Sequence, residues 1–224
     1  MSSDPDADAR RLAAVAGEGD DPNRWFEELY AAAERGEAVV PWDRGGPHPM
    51  LEWWVGERLS AQHLSAGARA MVVGAGPGHD ALLLDDRGFL TTAFDISPTA
   101  VAVAAERLGD TSVVVRRADL LDLPAEWSGA FDLVVEAMTV QAMPRSLRER
   151  GTEAVRSMVA QGGVLLVIGM LLPEGGDLDE GPPWLLTRDE IDAFARDGIE
   201  FVQLEDQPGS DGDTVRYLAE FRRD

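Results

Sequence analysis

The sequence predicts a doubly wound α/β fold: a seven-stranded, mostly parallel sheet with an antiparallel strand pair at its C-terminal end, preceded by a helical cover. Three observations lead there. The run Ala70-Met71-Val72-Val73 passes directly into Gly74, Gly76 and Gly78, and a leucine-rich segment (Ala81 to Leu84) follows. That is the pattern of a buried strand, a tight turn and the opening of a helix. From residue 70 onward, short apolar strands alternate with helical segments. The last two apolar stretches are instead joined by a turn-rich link, Gln207 to Asp213, which suits an antiparallel pair.

Taken in order, residues 1–21 are rich in Asp, Ala and Gly and are expected to be largely disordered. Residues 22–66 form the expected cover, and 67–224 the main domain. Asp21-Pro22 reads as an N-cap followed by proline at the first helical position, opening a helix through Trp25, Phe26, Leu29 and Tyr30 to Gly36. Pro41 to Pro49 is a loop by its Pro and Gly content, and a second helix carries Met50 to Leu59. Four of the six tryptophans (Trp25, Trp42, Trp53, Trp54) fall in this segment. Trp53 and Trp54 suit either packing on the sheet or a pocket wall, and Trp42, in a loop beside an acid, favours a pocket.

After the glycine loop, a second strand runs Phe89 to Phe94 and ends in Asp95, and Ser97-Pro98 opens a helix that closes at Gly109. A third strand, Ser112 to Val115, leads to Asp119, and a fourth, Phe131 to Val135, ends at Glu136. Arg145 to Ala160 has helical spacing and is expected to stop at Gly162-Gly163, before the apolar strand Val164 to Ile168. Leu172 to Pro183 is an acidic Gly/Pro loop, Thr187 to Glu190 a capping box, and Ile199 to Leu204 and Thr214 to Phe221 the closing strands.

The composition, 45% hydrophobic and 27% charged, is that of a folded domain. Twenty basic against 41 acidic residues leave a formal charge of −21, which makes nucleic acid and anionic membranes poor partners. Cysteine is absent, so disulfides, thiolate metal sites and cysteine nucleophiles are excluded. Three scattered histidines (His48, His63, His79) have no ligand spacing, so no metal is expected. No secretory leader and no apolar run of membrane length are seen, and a cytoplasmic protein is expected.

In an open α/β sheet, ligands sit beyond the carboxyl ends of the strands. Four consecutive strands end there in the glycine loop, Asp95, Asp119 and Glu136. An acid after the second strand suits two ribose hydroxyls. Asp119, flanked by Ile96 and Leu120, suits an exocyclic amine. An acid after a strand is equally a favoured helix N-cap, and only the regular recurrence speaks for a nucleotide. A dinucleotide loop wants Gly-x-Gly-x-x-Gly. Here the glycines alternate and are followed by His79 and Asp80. An acid beside the loop repels a pyrophosphate but suits an ammonium group, which points to a cofactor with adenosine at one end and an amino acid at the other.

On the glycine loop, Phe94-Asp95-Ile96-Ser97, Ala118-Asp119-Leu120 and Phe131 to Glu136, the chain resembles class I S-adenosylmethionine-dependent methyltransferases. Pro41-Trp42-Asp43-x-Gly45 and Gln141-Ala142-Met143-Pro144 make it look like the thiopurine S-methyltransferase-like branch. The resemblance spans roughly residues 22 to 222 and implies a Rossmann-like domain that binds S-adenosylmethionine and releases S-adenosylhomocysteine. It implies further that Gly74, Ala75, Gly76 and Gly78 approach the methionine moiety. Asp95, Ile96 and Ser97 would hold the ribose side, and Asp119 and Leu120 the adenine. Trp25 and Trp42 would close over the site. Val72 stands where that family has an acid, so the amino group would rely on carbonyls with Asp80 or Glu136.

The expected activity is methyl transfer to a small molecule by in-line displacement, to sulfur, oxygen or nitrogen. A hydroxyl acceptor would want a general base, for which Asp43, His48, His79 and Glu136 are the candidates. Trp42, Met138, Met143, Met170 and Trp184, with Trp25, suggest an apolar substrate pocket. An NAD(P)-dependent oxidoreductase is disfavoured by the glycine spacing. A non-catalytic cofactor-binding protein remains the other reading.

Overall fold

A computed structural model describes residues 6–16, 21–62, 64–208 and 214–224. Its centre is one seven-stranded sheet in the order β3-β2-β1-β4-β5-β7-β6. The strands are β1 (Arg69–Val73), β2 (Leu90–Asp95), β3 (Val114–Arg117), β4 (Phe131–Ala137), β5 (Val159–Leu171), β6 (Ile199–Pro208) and β7 (Val215–Arg223). The first five pair in parallel, and β7 pairs antiparallel with both β5 and β6.

Side-chain alternation along each strand builds two cores. On one face Val72, Ala93, Leu133, Val135 and Leu166 meet α3 (Pro49–Glu57), α4 (His79–Asp86) and α5 (Pro98–Leu108). On the other, Met71, Val73, Phe94, Val134 and Val167 meet α6 (Arg145–Ser157) and the short α7 (Arg188–Asp192). Trp54 is fully buried in the first core, with Nε1 donating to Glu220 Oε2 at 2.9 Å, which settles it as packing. The capping box before α7 forms as the sequence indicates, between Thr187 and Glu190.

A third cluster differs from expectation. Residues 7–16, expected to be disordered, form helix α1 (Ala7–Ala16), packed on α2 (Trp25–Glu34). Ala9, Ala13 and Ala16 share one buried face against Trp25 and Leu29. Acid-rich composition concealed a helix whose alanines carry both high propensity and a narrow packing stripe. The start of α2 also moves. Asp21 Oδ1 accepts the N–H of Asn23 at 3.1 Å, so the acid closes a turn instead of capping, and the helix begins at Trp25. Lastly, α6 ends at Ser157, and Gly162 and Gly163 lie inside β5. A Cβ on Gly163 would come within 3.1 Å of Phe131 O, so this glycine permits a close strand approach where the β4–β5 register shifts, while Gly162 has a φ of 74° and open space beside it.

His63 and residues 209–213, within the link expected to be turn-rich, lie outside the described residues. Among those described, no helix is long and apolar enough to cross a membrane.

Candidate active site

The loop after β1 turns through positive φ at Gly74 (56°), Gly76 (49°) and Gly78 (86°). Gly78, left-handed, is the N-cap of α4. A Cβ on Gly76 would stand 2.7 Å from the Tyr30 hydroxyl, and one on Gly74 would run into Thr139. The loop therefore needs glycine both for its φ values and for space. Asp95 fixes it: Oδ2 accepts from Gly76 N at 2.9 Å and Oδ1 from Ser97 N at 2.9 Å. Burial pushes the Asp95 carboxyl up, while the N–H groups of Ser97, Gly76 and Ile96 hold it back.

The cover is tied to this frame. Glu27 of α2 accepts from Ser97 Oγ (2.6 Å), Thr99 Oγ1 (2.7 Å) and Thr99 N (3.1 Å). Those bonds outweigh the opposing effect of burial and hold its carboxyl below the usual range. Asp80 Oδ1 accepts the N–H of His48 at 2.7 Å, seating the Pro41–Pro49 loop over the start of α4. Trp42 Nε1 donates to the Tyr30 hydroxyl at 2.6 Å.

Between sheet rim and cover lies one cavity of about 740 Å³, a volume typical of ligand sites. Gly74, Ala75, Gly76 and Asp80 line it, with Asp95, Ile96, Asp119 and Leu120 beside them. Trp25 and Trp42 contribute from the cover, and Met138, Met143 and Met170 from the β4–β5 side. Met138 has φ 65°, a strained value for a non-glycine residue, in the turn after β4. His48 and His79 also reach the cavity.

Five expected site residues do not line it. Gly78 backs onto Ala104 and Leu108. Ser97 is fully buried and caps α5 through Ala100 N at 2.9 Å. Glu136 lies on the α6 face of β4 and folds back onto Val140 N at 2.8 Å; burial pushes its carboxyl up to about 7. Asp43 is exposed, bonded to His79 Nε2 and Gly45 N at 3.1 Å each. Trp184 packs on the Trp25 cluster, with its N–H on Gln141 O and its carbonyl held by Arg148. Asp43 and Glu136 thus stand outside the cavity lining. Glu136 shares its sheet face with its register partner Val73, which does line the cavity, but it is fully buried with its carboxylate held on Val140 N.

Sequence reading missed Tyr30, Arg44, Thr139 and Arg216. Arg44 sat within the Pro41–Pro49 motif and could have been included. Arg216 carried no local signal: it reaches the cavity only because β7 pairs with β5 in a register that sets it opposite Met170. His48 Nδ1 accepts from Met50 N at 3.3 Å, and burial together with Arg44 and Arg216 pushes the imidazole down to about 4. The ring is neutral at pH 7. Among the described residues no His/Cys/Asp/Glu group of metal-binding size comes together.

Residues 33–214 match the family model for thiopurine S-methyltransferase. The thiocyanate methyltransferase 1 proteins of Brassica oleracea and Arabidopsis thaliana are each 24% identical over 177 residues. The Brassica alignment covers 78% of this chain and 75% of the relative; the Arabidopsis one covers 77% and 74%. A structure from a study of disulfide-to-thioacetal conversion in echinomycin biosynthesis superposes with a TM-score of 0.70 at 23% identity, covering 89% of this chain and 93% of that one. The N-methyltransferase NodS of Bradyrhizobium japonicum WM9, bound to S-adenosylhomocysteine, superposes at 0.62 with 17% identity, over 96% and 98% of the two chains. These two likenesses show the Rossmann-like fold. The family match, over a cavity with a glycine cradle and strand-end acids, decides against the oxidoreductase reading. The chain belongs to the thiopurine S-methyltransferase family and is an S-adenosylmethionine-dependent methyltransferase.

Proposed function

We propose that the enzyme methylates a sulfur atom of a small-molecule acceptor by in-line displacement. The observation that carries this is the continuity of the cavity: one lining joins the glycine cradle and rim acids to Met138, Met143 and Met170. The cofactor, when bound, supplies a methyl carbon on a sulfonium whose leaving group is a neutral thioether.

In this reading the backbone of Gly74, Ala75 and Gly76 faces the methionine moiety, and Asp80 the amino group. Asp95, with lone pairs left beyond its backbone N–H bonds, takes the ribose hydroxyls, and Ile96 packs beside it. Asp119 and Leu120 take the adenine. Trp25 and Trp42 roof both halves and exclude water. Residues 22–66 then act as cover and 67–224 as the transferase domain. Tyr30 and Trp42 fill the space a Cβ would occupy at Gly76, so the cover closes directly onto the glycine loop. The main contribution of the fold is alignment of acceptor and methyl, for which proximity supplies about 7–11 kcal/mol.

Sulfur is favoured because it asks least of the bases present, of which His79, lining the cavity and paired with Asp43, is the one left to serve an alcohol. His48 is neutral and weakly basic, and Glu136 is buried outside the lining. A thiol with a pKa of about 8.5 is partly ionised near neutrality and needs no base, unlike an alcohol. The thiocyanate methyltransferase relatives and the S-methyltransferase family name support the same atom. The test is turnover on matched aromatic acceptors, thiophenol, phenol and aniline, each with S-adenosylmethionine. Methylation of thiophenol alone is expected; preferential methylation of phenol or aniline would overturn the reading.

A further inference from the structure

The cavity is not uniformly apolar. Arg44 and His48 from the Pro41–Pro49 loop and Arg216 from β7 all line it, in a protein whose formal charge is −21. Arg44 and Arg216 repel one another and jointly disfavour the imidazolium form of His48. Like charges brought together from positions 44 and 216 favour an anion, even though the half-buried Asp6 on the same lining offsets Arg44 in part.

Two unpartnered donors sharpen the point. The Nε of Arg216 is buried with no hydrogen-bond partner among the described residues, and so is Nε2 of His48. Since His48 Nδ1 accepts from Met50 N, the neutral ring carries its proton on Nε2 and can only donate there. A buried donor without an acceptor is costly; both atoms are closed to solvent while the cavity is empty, so an oxyanion removes that cost only by drawing the two side chains toward it. Asp6 acts on Arg44, and Asp177 and Glu180 line the mouth. The latter two are exposed, as is Arg44, so water screens all three, whereas Arg216 is half-buried and acts through a poorer dielectric.

Position decides which ligand meets this wall. Arg216 lies on β7, three strand spacings from the glycine loop of β1 (roughly 14 Å), and directly opposite Met170 in the β5–β7 register. We propose that Arg44, His48 and Arg216 form a recognition wall for a carboxylate-type anionic group on the methyl acceptor, set apart from its nucleophilic atom. Separation matters, because a guanidinium on the reacting atom itself would lower its nucleophilicity. The proposal rests on the reading of the β4–β5 half as the acceptor subsite, but not on sulfur being the nucleophile.

Binding tests it without turnover. The protein is loaded with S-adenosylhomocysteine and titrated calorimetrically with 4-(methylthio)benzoate and with the neutral 4-(methylthio)benzamide. The benzoate should bind at least tenfold more tightly. Arg216→Gln and Arg44→Gln should each remove most of that preference, leave benzamide binding and S-adenosylhomocysteine affinity unchanged, and keep a wild-type melting profile; Arg216→Lys should retain part of the preference. Equal affinity for the two ligands would overturn the proposal, as would equal loss of both in the variants. A drop in S-adenosylhomocysteine affinity alone would overturn it too, because the wall would then read the cofactor's own carboxylate. If the benzoate binds as stated yet 4-mercaptobenzoate is never methylated, the sulfur assignment fails and the anion wall stands.

Discussion

The backbone N–H of Gly76 donates to Asp95 Oδ2 at 2.9 Å, so the loop after β1 and the end of β2 form one rigid unit. The other oxygen of Asp95 holds Ser97 N, and Ser97 in turn meets Glu27 on the cover. A single carboxylate thus registers cradle, rim and roof.

Asp95→Ala is expected to weaken S-adenosylhomocysteine binding at least tenfold by calorimetry and to lower the melting temperature. It strips the acceptor from two backbone N–H groups, each costing about 1–3 kcal/mol when buried and unpaired. Asp95→Asn keeps one acceptor oxygen and should fall between. Undiminished affinity in Asp95→Ala would remove this residue from the ribose contact.

Two glycine variants separate space from backbone conformation. Gly76→Ala meets both a φ of 49° and the Tyr30 hydroxyl at 2.7 Å, whereas Gly45→Ala has φ 73° and nothing within 4 Å. Both pay the left-handed penalty of about 1–2 kcal/mol, visible as a modest shift in urea midpoint. Only Gly76→Ala should also lose cofactor affinity and activity. Equal behaviour of the pair would mean that the cradle has no role beyond its turn.

Glu27→Gln should loosen the cover. The variant keeps size but weakens three bonds to Ser97 and Thr99, at a cost of about 1–3 kcal/mol. Faster hydrogen exchange in α2 and a raised KM for S-adenosylmethionine are expected, with kcat less affected. Because the folded pKa of Glu27 is depressed, its contribution is present above pH 4.5 and lost as pH falls through the folded value. Wild type and variant should therefore converge in stability at low pH.

Glu136 and His48 oppose each other in pH dependence. The folded pKa of Glu136 is raised from 4.5 to about 7, so the fold binds its proton more tightly than the unfolded chain. Stability from this group falls as pH rises from 4.5 to 7, by on the order of 3 kcal/mol in all. The His48 pKa is lowered from 6.5 to about 4, so its effect runs the other way and stability falls as pH drops through that interval. Glu136→Gln should be more stable than wild type at pH 8, equal to it at pH 4, and should expose the rising His48 slope between. Equal destabilisation at pH 5 and pH 8 would mean that Glu136 is ionised in the fold.

Much of the architecture was legible because its signals are local. A buried parallel strand is a short apolar run, a cofactor turn needs glycine, and a helix start needs a cap, so β1, β2, β4, the loop at Gly74–Gly78 and the Thr187–Glu190 box could be read from neighbours in sequence. The misreadings arose where the deciding partner was distant. Whether Ala9, Ala13 and Ala16 fold depends on Trp25 and Leu29. Whether Gly163 ends a helix or lies within a strand depends on Phe131.

The site divides along the same line. By itself, the sequence determined the glycine cradle, the acids at the strand ends and the class of cofactor, because parallel strands deliver their carboxyl ends to one rim wherever the connections lead. Only the tertiary structure decided which side chains face the ligand. Glu136 is buried and held on Val140 N, and Trp184 is drawn onto the cover's core. Arg216 is carried to Arg44 and His48 by the antiparallel pairing of β7 with β5. Side-chain direction follows from register, and register between residues 170 and 216 is a property of the folded sheet that no local pattern encodes.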